Sequence, residues 1–156
     1  MTLQSALAGV ISEAVGILGF KRRGGSWYRH SEDLYSIVSI QKSKWDNSCY
    51  LNIGFMPDSE IEGPWMPESK CWVRFRFDSL NSVSVDDAQL LAEDASRDSS
   101  DSELQSLLVD RVATPVARLF GGVVNLTSLK VALESQIAKR VFVHREMREL
   151  LGGLEL

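Results

Sequence analysis

Apolar residues at Leu3, Leu7, Val10, Ile11, Ala14, Val15 and Leu18 recur at intervals of three and four, which predicts an opening helix. Thr2 stands where it can cap the first turn, and Gly19 where a helix commonly ends in a left-handed residue. The period then shortens to two. Gly24-Gly25 makes a turn into a hairpin whose strands span residues 27–30 and 34–42, joined by the turn-prone Ser31-Glu32-Asp33. A third strand over 49–56 sends Cys49, Leu51, Ile53 and Phe55 to the core and Tyr50, Asn52 and Gly54 to the opposite side. A loop from residue 57 to 70, containing Pro and Gly, leads to a fourth strand over 71–77. Its alternation places Cys71, Val73, Phe75 and Phe77 on the core face and Trp72, Arg74 and Arg76 on the other.

Beyond residue 77 the pattern turns helical. A short helix over 85–95 can be capped by Ser84 or Asp86, and the small polar residues of 96–102 read as a loop. Leu104, Leu107, Leu108, Val112, Leu119 and Phe120 predict a helix over 103–120, which Pro115 must kink or restart and Gly121-Gly122 stops. Thr127 or Ser128 then caps a helix carrying Leu129, Leu133 and Ile137. Residues 140–143 fit a strand or a helix equally, and 146–151 reads as a helix stopped by Gly152-Gly153. The expected architecture is α+β: an N-terminal helix, a four-stranded, mainly antiparallel sheet, and C-terminal helices packed on the sheet. All 156 residues are expected to form one domain, with helix and sheet in 1–80, an acidic connection in 86–103 and a helical part in 103–152.

Composition narrows the function classes. Hydrophobic residues make up 44% and charged ones 24%, an ordinary globular balance, and a net charge of −4 gives no overall attraction to nucleic acid or membranes. No apolar run approaches the ~20 residues of a membrane span. Glu13 and the lack of a cationic leader argue against a secretory signal. Cys49 and Cys71 have no CxxC spacing and are expected to be buried free thiols in a reducing cytoplasm. Charge is uneven, however: residues 20–45 carry six Lys/Arg against two Asp/Glu, whereas 86–110 carry one against eight. The acidic stretch is either a solvated connection or an arm that docks on a basic face.

No catalytic pairing emerges. His30 and His144, the two histidines, sit at a strand end and a helix start, where solvated side chains are the ordinary outcome. The cysteines alternate toward the core, which argues against a reactive thiol. No Cys/His spacing builds a zinc site, and residues 98–103 lack the glycine and distal glutamate of a calcium loop. There is no phosphate-binding glycine motif, and Lys21-Arg22-Arg23 suits the end of a helix dipole as well as it suits phosphate. No cofactor or metal is expected. The sheet face remains. If the strands are neighbours, Gln41, Asn52, Trp72, Arg74 and Arg76 share it, with Tyr35 and Tyr50 nearby, and these groups are suited to a flat anionic ligand. In the competing arrangement the C-terminal helices cover this face and the arginines pair with acids of 86–110.

Several ordered segments resemble a bacterial family known as domain of unknown function 4304. They are Leu18-Gly19-Phe20-Lys21-Arg22-Arg23 followed by Trp27-Tyr28-Arg29, then Ile40-Gln41-Lys42-Ser43-Lys44-Trp45, Leu51-Asn52-Ile53-Gly54, Cys71-Trp72-Val73-Arg74-Phe75-Arg76 and Thr114-Pro115-Val116-Ala117-Arg118-Leu119. The resemblance runs along roughly the first 120 residues. It implies a common α+β fold and a bacterial origin, and it implies no activity. Two departures stand out: Asn81-Ser82-Val83-Ser84-Val85 where the family tends to carry a tryptophan pair, and Trp72 where it tends to carry a histidine.

The expected function is a non-enzymatic binding or interaction module whose arginine-bearing face takes an anionic small molecule or an acidic protein surface. An enzyme acting on a phosphorylated or carboxylated small molecule is the alternative. Single-stranded RNA binding through Trp27, Tyr28, Trp45 and Trp72 is a third reading, which the acidic net charge disfavours.

Overall fold

In the computed structural model, residues 2–92, 100–137 and 140–153 are described. Helix α1 (Leu3–Gly16) starts at Thr2, whose hydroxyl accepts the Ser5 amide. Five strands follow: β1 (Lys21–Arg23), β2 (Ser26–Ser31), β3 (Leu34–Lys42), β4 (Cys49–Pro57) and β5 (Val73–Arg76). Helices α2 (Val85–Gln89), α3 (Asp101–Leu108), α4 (Thr114–Gly122) and α5 (Leu126–Ser135) lead to β6 (Phe142–Val143) and α6 (Arg145–Leu151). The strands pair antiparallel in chain order, β1 through β6.

Among the described residues the sheet therefore has six strands where the sequence predicts four. The extra two are its edges. Lys21-Arg22-Arg23 forms β1, paired with β2 through the Gly24-Gly25 turn, instead of ending α1. Within 140–143 the last two residues resolve as strand, pairing Val143 with Val73 and Phe142 with Arg74. Both are too short, and β1 too exposed, to print an alternating pattern. The arginine strand is also shorter than 71–77: Cys71 and Trp72 precede it and Phe77 already begins a 3₁₀ turn.

Of the two expected roles, a kink or a restart, Pro115 takes the second and stands at the beginning of a new helix, α4. A π turn at Val109–Ala113 joins α3 to α4, with Pro115 in the first turn of α4, where its missing amide is harmless. The Thr114 hydroxyl donates to the Val109 carbonyl at 2.8 Å. Asn125, instead of Thr127 or Ser128, caps α5; its side chain accepts the Ser128 amide while the Ser128 hydroxyl accepts the Asn125 amide. The helix expected over 85–95 is only Val85–Gln89, and residues 93–99 lie outside the described part.

The helices cover one sheet face. Trp27, Val38, Leu51, Ile53, Phe55, Val73, Phe75 and Val143 are buried there against Leu7, Ile11, Leu108, Val112, Phe120 and Met147. The competing arrangement, with helices over the arginines, is not adopted. Arg29 is drawn into this core with Trp27, its neighbour in parity. It donates to the carbonyls of Phe120 (2.8 Å), Val123 (3.0 Å) and Leu18 (3.3 Å), and its guanidinium lies 4.7 Å from the Phe20 ring. Those carbonyls close the C-terminal ends of α1 and α4, where helices leave acceptors unpaired and carry partial negative charge. Burial lowers the Arg29 pKa from its ordinary value.

Candidate functional site

The opposite sheet face divides in two. Register sets His30 beside Tyr35 and Met56; the next row runs Tyr28, Ile37, Gly54, Arg74, Phe142, and the one after it Ser26, Ser39, Asn52, Arg76. Gln41 and Tyr50 complete the far end. The chain between β4 and β5 crosses the first part and closes a small second core of Tyr35, Ile37, Met56 and Cys71, with Tyr28, Trp65 and Met66 at its margin. His30 bridges to the Asp58 carboxylate at 2.5 Å through Nδ1 and to the Pro64 carbonyl at 2.6 Å through Nε2. The Tyr35 hydroxyl donates to the Met66 carbonyl and accepts its amide, and Arg23 lies over the Trp65 ring at 4.2 Å. His30 is therefore a fastening of this crossing segment, not a free solvated side chain.

Gly54 lets the segment settle. A Cβ at that position would lie 3.0 Å from Cys71 Sγ and 3.2 Å from Glu68 Cγ, closer than packed carbons stand. Cys71 thus packs on the face opposite the one its alternation predicts, because the extended strand begins only at Val73. Both cysteines are free and buried. Burial pushes the Cys71 thiol up to about 12, with the nearby Glu68 adding to the effect and Arg74 opposing it. Such a thiol is a poor nucleophile.

Beyond the crossing segment the face is open. Gln41, Asn52, Arg74 and Arg76 line a cleft of about 500 Å³, together with Glu68, Ser69, Asp78, Ser79 and Arg140. The Asn52 amide donates to Gln41 Oε1 at 2.9 Å, which leaves three N–H donors and the Asn52 Oδ1 acceptor of the pair for other partners. Arg74 donates to the Ser69 carbonyl at 3.0 Å and lies 4.5 Å from the Phe142 ring. Its Nε is shielded from solvent and has no hydrogen-bond partner among the described residues. Arg76 lies over the Tyr50 ring, 4.1 Å from its centre, and among the described residues it forms no hydrogen bond or ion pair. Aromatic contacts thus aim both guanidiniums while leaving most of their ten N–H donors uncommitted.

Trp72 lies outside the cleft. It is half-buried and stacks on the His144 ring at 5.3 Å, with its carbonyl accepting the His144 amide at 2.7 Å. His144 in turn caps α6, accepting the Glu146 amide. Sequence alternation did not find Glu68, Asp78 or Arg140, because turns and a distant connection bring them in. Glu68 is half-buried beside the arginines; burial raises its pKa, and the charges of Arg74 and Arg76 work against that rise. Among the described residues no cluster of three or more His, Cys, Asp or Glu could hold a metal ion, and no helix is long and apolar enough to cross a membrane.

A family model described as "Domain of unknown function (DUF4304)" matches residues 12–118. The chain belongs to this family. The DUF4304 match spans β1 to β5 and so includes every cleft residue named above except Arg140. No curated protein and no solved structure matches the chain.

Proposed function

We propose that this DUF4304 protein binds a small anionic molecule in the arginine-lined cleft. The observation that supports this most is the pair Arg74 and Arg76, side by side on one strand, lining a cavity of small-molecule size with most of their donors unspent. Buried arginines without partners are costly, and here the solvent-facing cleft lowers that cost, leaving only the Arg74 Nε shielded and unpartnered among the described residues. A cavity of about 500 Å³ favours a compact ligand over a flat protein surface.

The enzymatic alternative draws on one observation, the half-buried Glu68 carboxyl beside two cations, an arrangement able to move a proton. RNA binding has less in its favour. Trp27 is core, Trp72 is covered by His144, and the exposed Trp45 stands alone at the β3–β4 turn.

Titrating ¹⁵N-labelled protein with inorganic phosphate and with succinate tests the proposal. Saturable shifts are expected at Asn52 and at the Arg74 and Arg76 side-chain Nε–H signals, and the Arg74→Ala/Arg76→Ala variant is expected to lose them at Asn52. Equal Asn52 shifts in the variant, or none in either protein, would overturn it.

A further inference from the structure

Arg76 and Asp78 line a second, smaller hollow as well as the cleft. It measures about 210 Å³ and sits where the sheet ends, between the start of β4 and the turn after α2. Its walls are Tyr50, Leu51, Phe77, Ala88, Leu91 and Ala92, a lining mostly of hydrocarbon. A backbone bond from the Cys49 amide to the Leu91 carbonyl at 2.8 Å ties the far wall to β4, so the hollow is held open by main chain. Arg76, whose guanidinium lies 4.1 Å from the Tyr50 ring, is the partition: it lines both spaces, and Tyr50 belongs to the lining of the hollow.

We infer that the ligand is an amphiphilic monoanion, an organic acid whose head lies between Arg74 and Arg76 and whose apolar body fills the hollow past Tyr50. The inference rests on the binding proposal above and specifies its ligand. Charge selects the head count. Three arginines line the cleft, whereas at the junction Asp78 presents a carboxylate that repels a second acidic group passing into the hollow. A polyphosphate or a dicarboxylate spanning both spaces is therefore disfavoured. Size selects the body: at ~30 Å³ per water-sized volume, the hollow takes roughly seven heavy atoms. That suits a short aliphatic chain or a single ring.

The test is a homologous series of straight-chain carboxylates from acetate through butyrate and hexanoate to octanoate, with inorganic phosphate as a tail-free anion. Affinities are read by ¹⁵N–¹H titration. Each added methylene is expected to tighten Kd by about threefold to fourfold until the hollow is full. Ala88→Phe, which fills the hollow, is expected to abolish this gain and leave acetate and phosphate within about twofold of wild type; Ala88→Leu, a milder filling, flattens the series in part and serves if the larger ring disturbs folding. Arg76→Ala weakens every member. If acetate and phosphate bind with no gain along the series, or the gain persists in folded filling variants, the amphiphile inference fails and the anion cleft stands. If none of the anions binds, both fall together.

Discussion

The two faces of one sheet handle arginine in opposite ways. On the helix side Arg29 is buried with no carboxylate partner among the described residues; three main-chain carbonyls at the ends of α1 and α4 receive three of its five donors, and its buried Nε–H has no partner there. On the other side Arg74 and Arg76 keep partial exposure, rest on aromatic rings and leave most donors unspent. The first arrangement consumes the charge to lock helices onto the sheet. The second holds charge in reserve. An arginine in a strand thus signals recognition only when most of its hydrogen-bonding capacity is unfilled, and two helix ends can take up the larger part of it without an acid.

Replacing the residues on each side should separate these roles. Arg29→Met keeps the volume but strands three buried carbonyls, so chemical denaturation should show a loss of about 3 kcal/mol or more. Loss of less than about 1 kcal/mol would erase the contrast. Arg74→Ala/Arg76→Ala removes two guanidiniums yet should cost only about 1 kcal/mol, since what goes is two partly exposed ring contacts and one carbonyl bond.

The smallest effect belongs to Glu68→Gln. Burial raises the folded-state pKa of Glu68, so the native protein holds this proton more tightly than the unfolded chain. Its contribution to stability is complete below the ordinary value of 4.5 and is lost as pH rises through the raised folded value. The variant should therefore match wild type at about pH 3.5 and melt at higher temperature than wild type at about pH 8. Equal melting temperatures across that range would remove the desolvated carboxyl from the cleft's electrostatics.

Local periodicity carried much of the architecture: the Thr2-capped helix, the β2–β3 hairpin, the β4 alternation, and the parity that puts Asn52, Arg74 and Arg76 on a common face all read directly from spacing of two, three or four. What escaped was set by distant contacts. Two- and three-residue edge strands take their identity from a neighbour, Phe142 from Arg74 across some seventy positions of chain. Cys71 changed face because the turn at Glu68–Lys70 ends the alternation just before it. The burial of Arg29 was within reach, since it shares parity with Trp27, but its partners are carbonyls of residues 120 and 123, invisible to any side-chain pattern. The acids of the cleft arrive from turns for the same reason.

Gly54 gives this division of the face its boundary. Because one hydrogen stands where any other residue would project carbon, the overlying Glu68 and Cys71 can come down flush with the peptide plane. How far a guest molecule can sink toward β4 is consequently gauged from underneath, by a position that never needs to touch it. A bulkier residue there would act like a shim, raising the roof and the floor of the vestibule together.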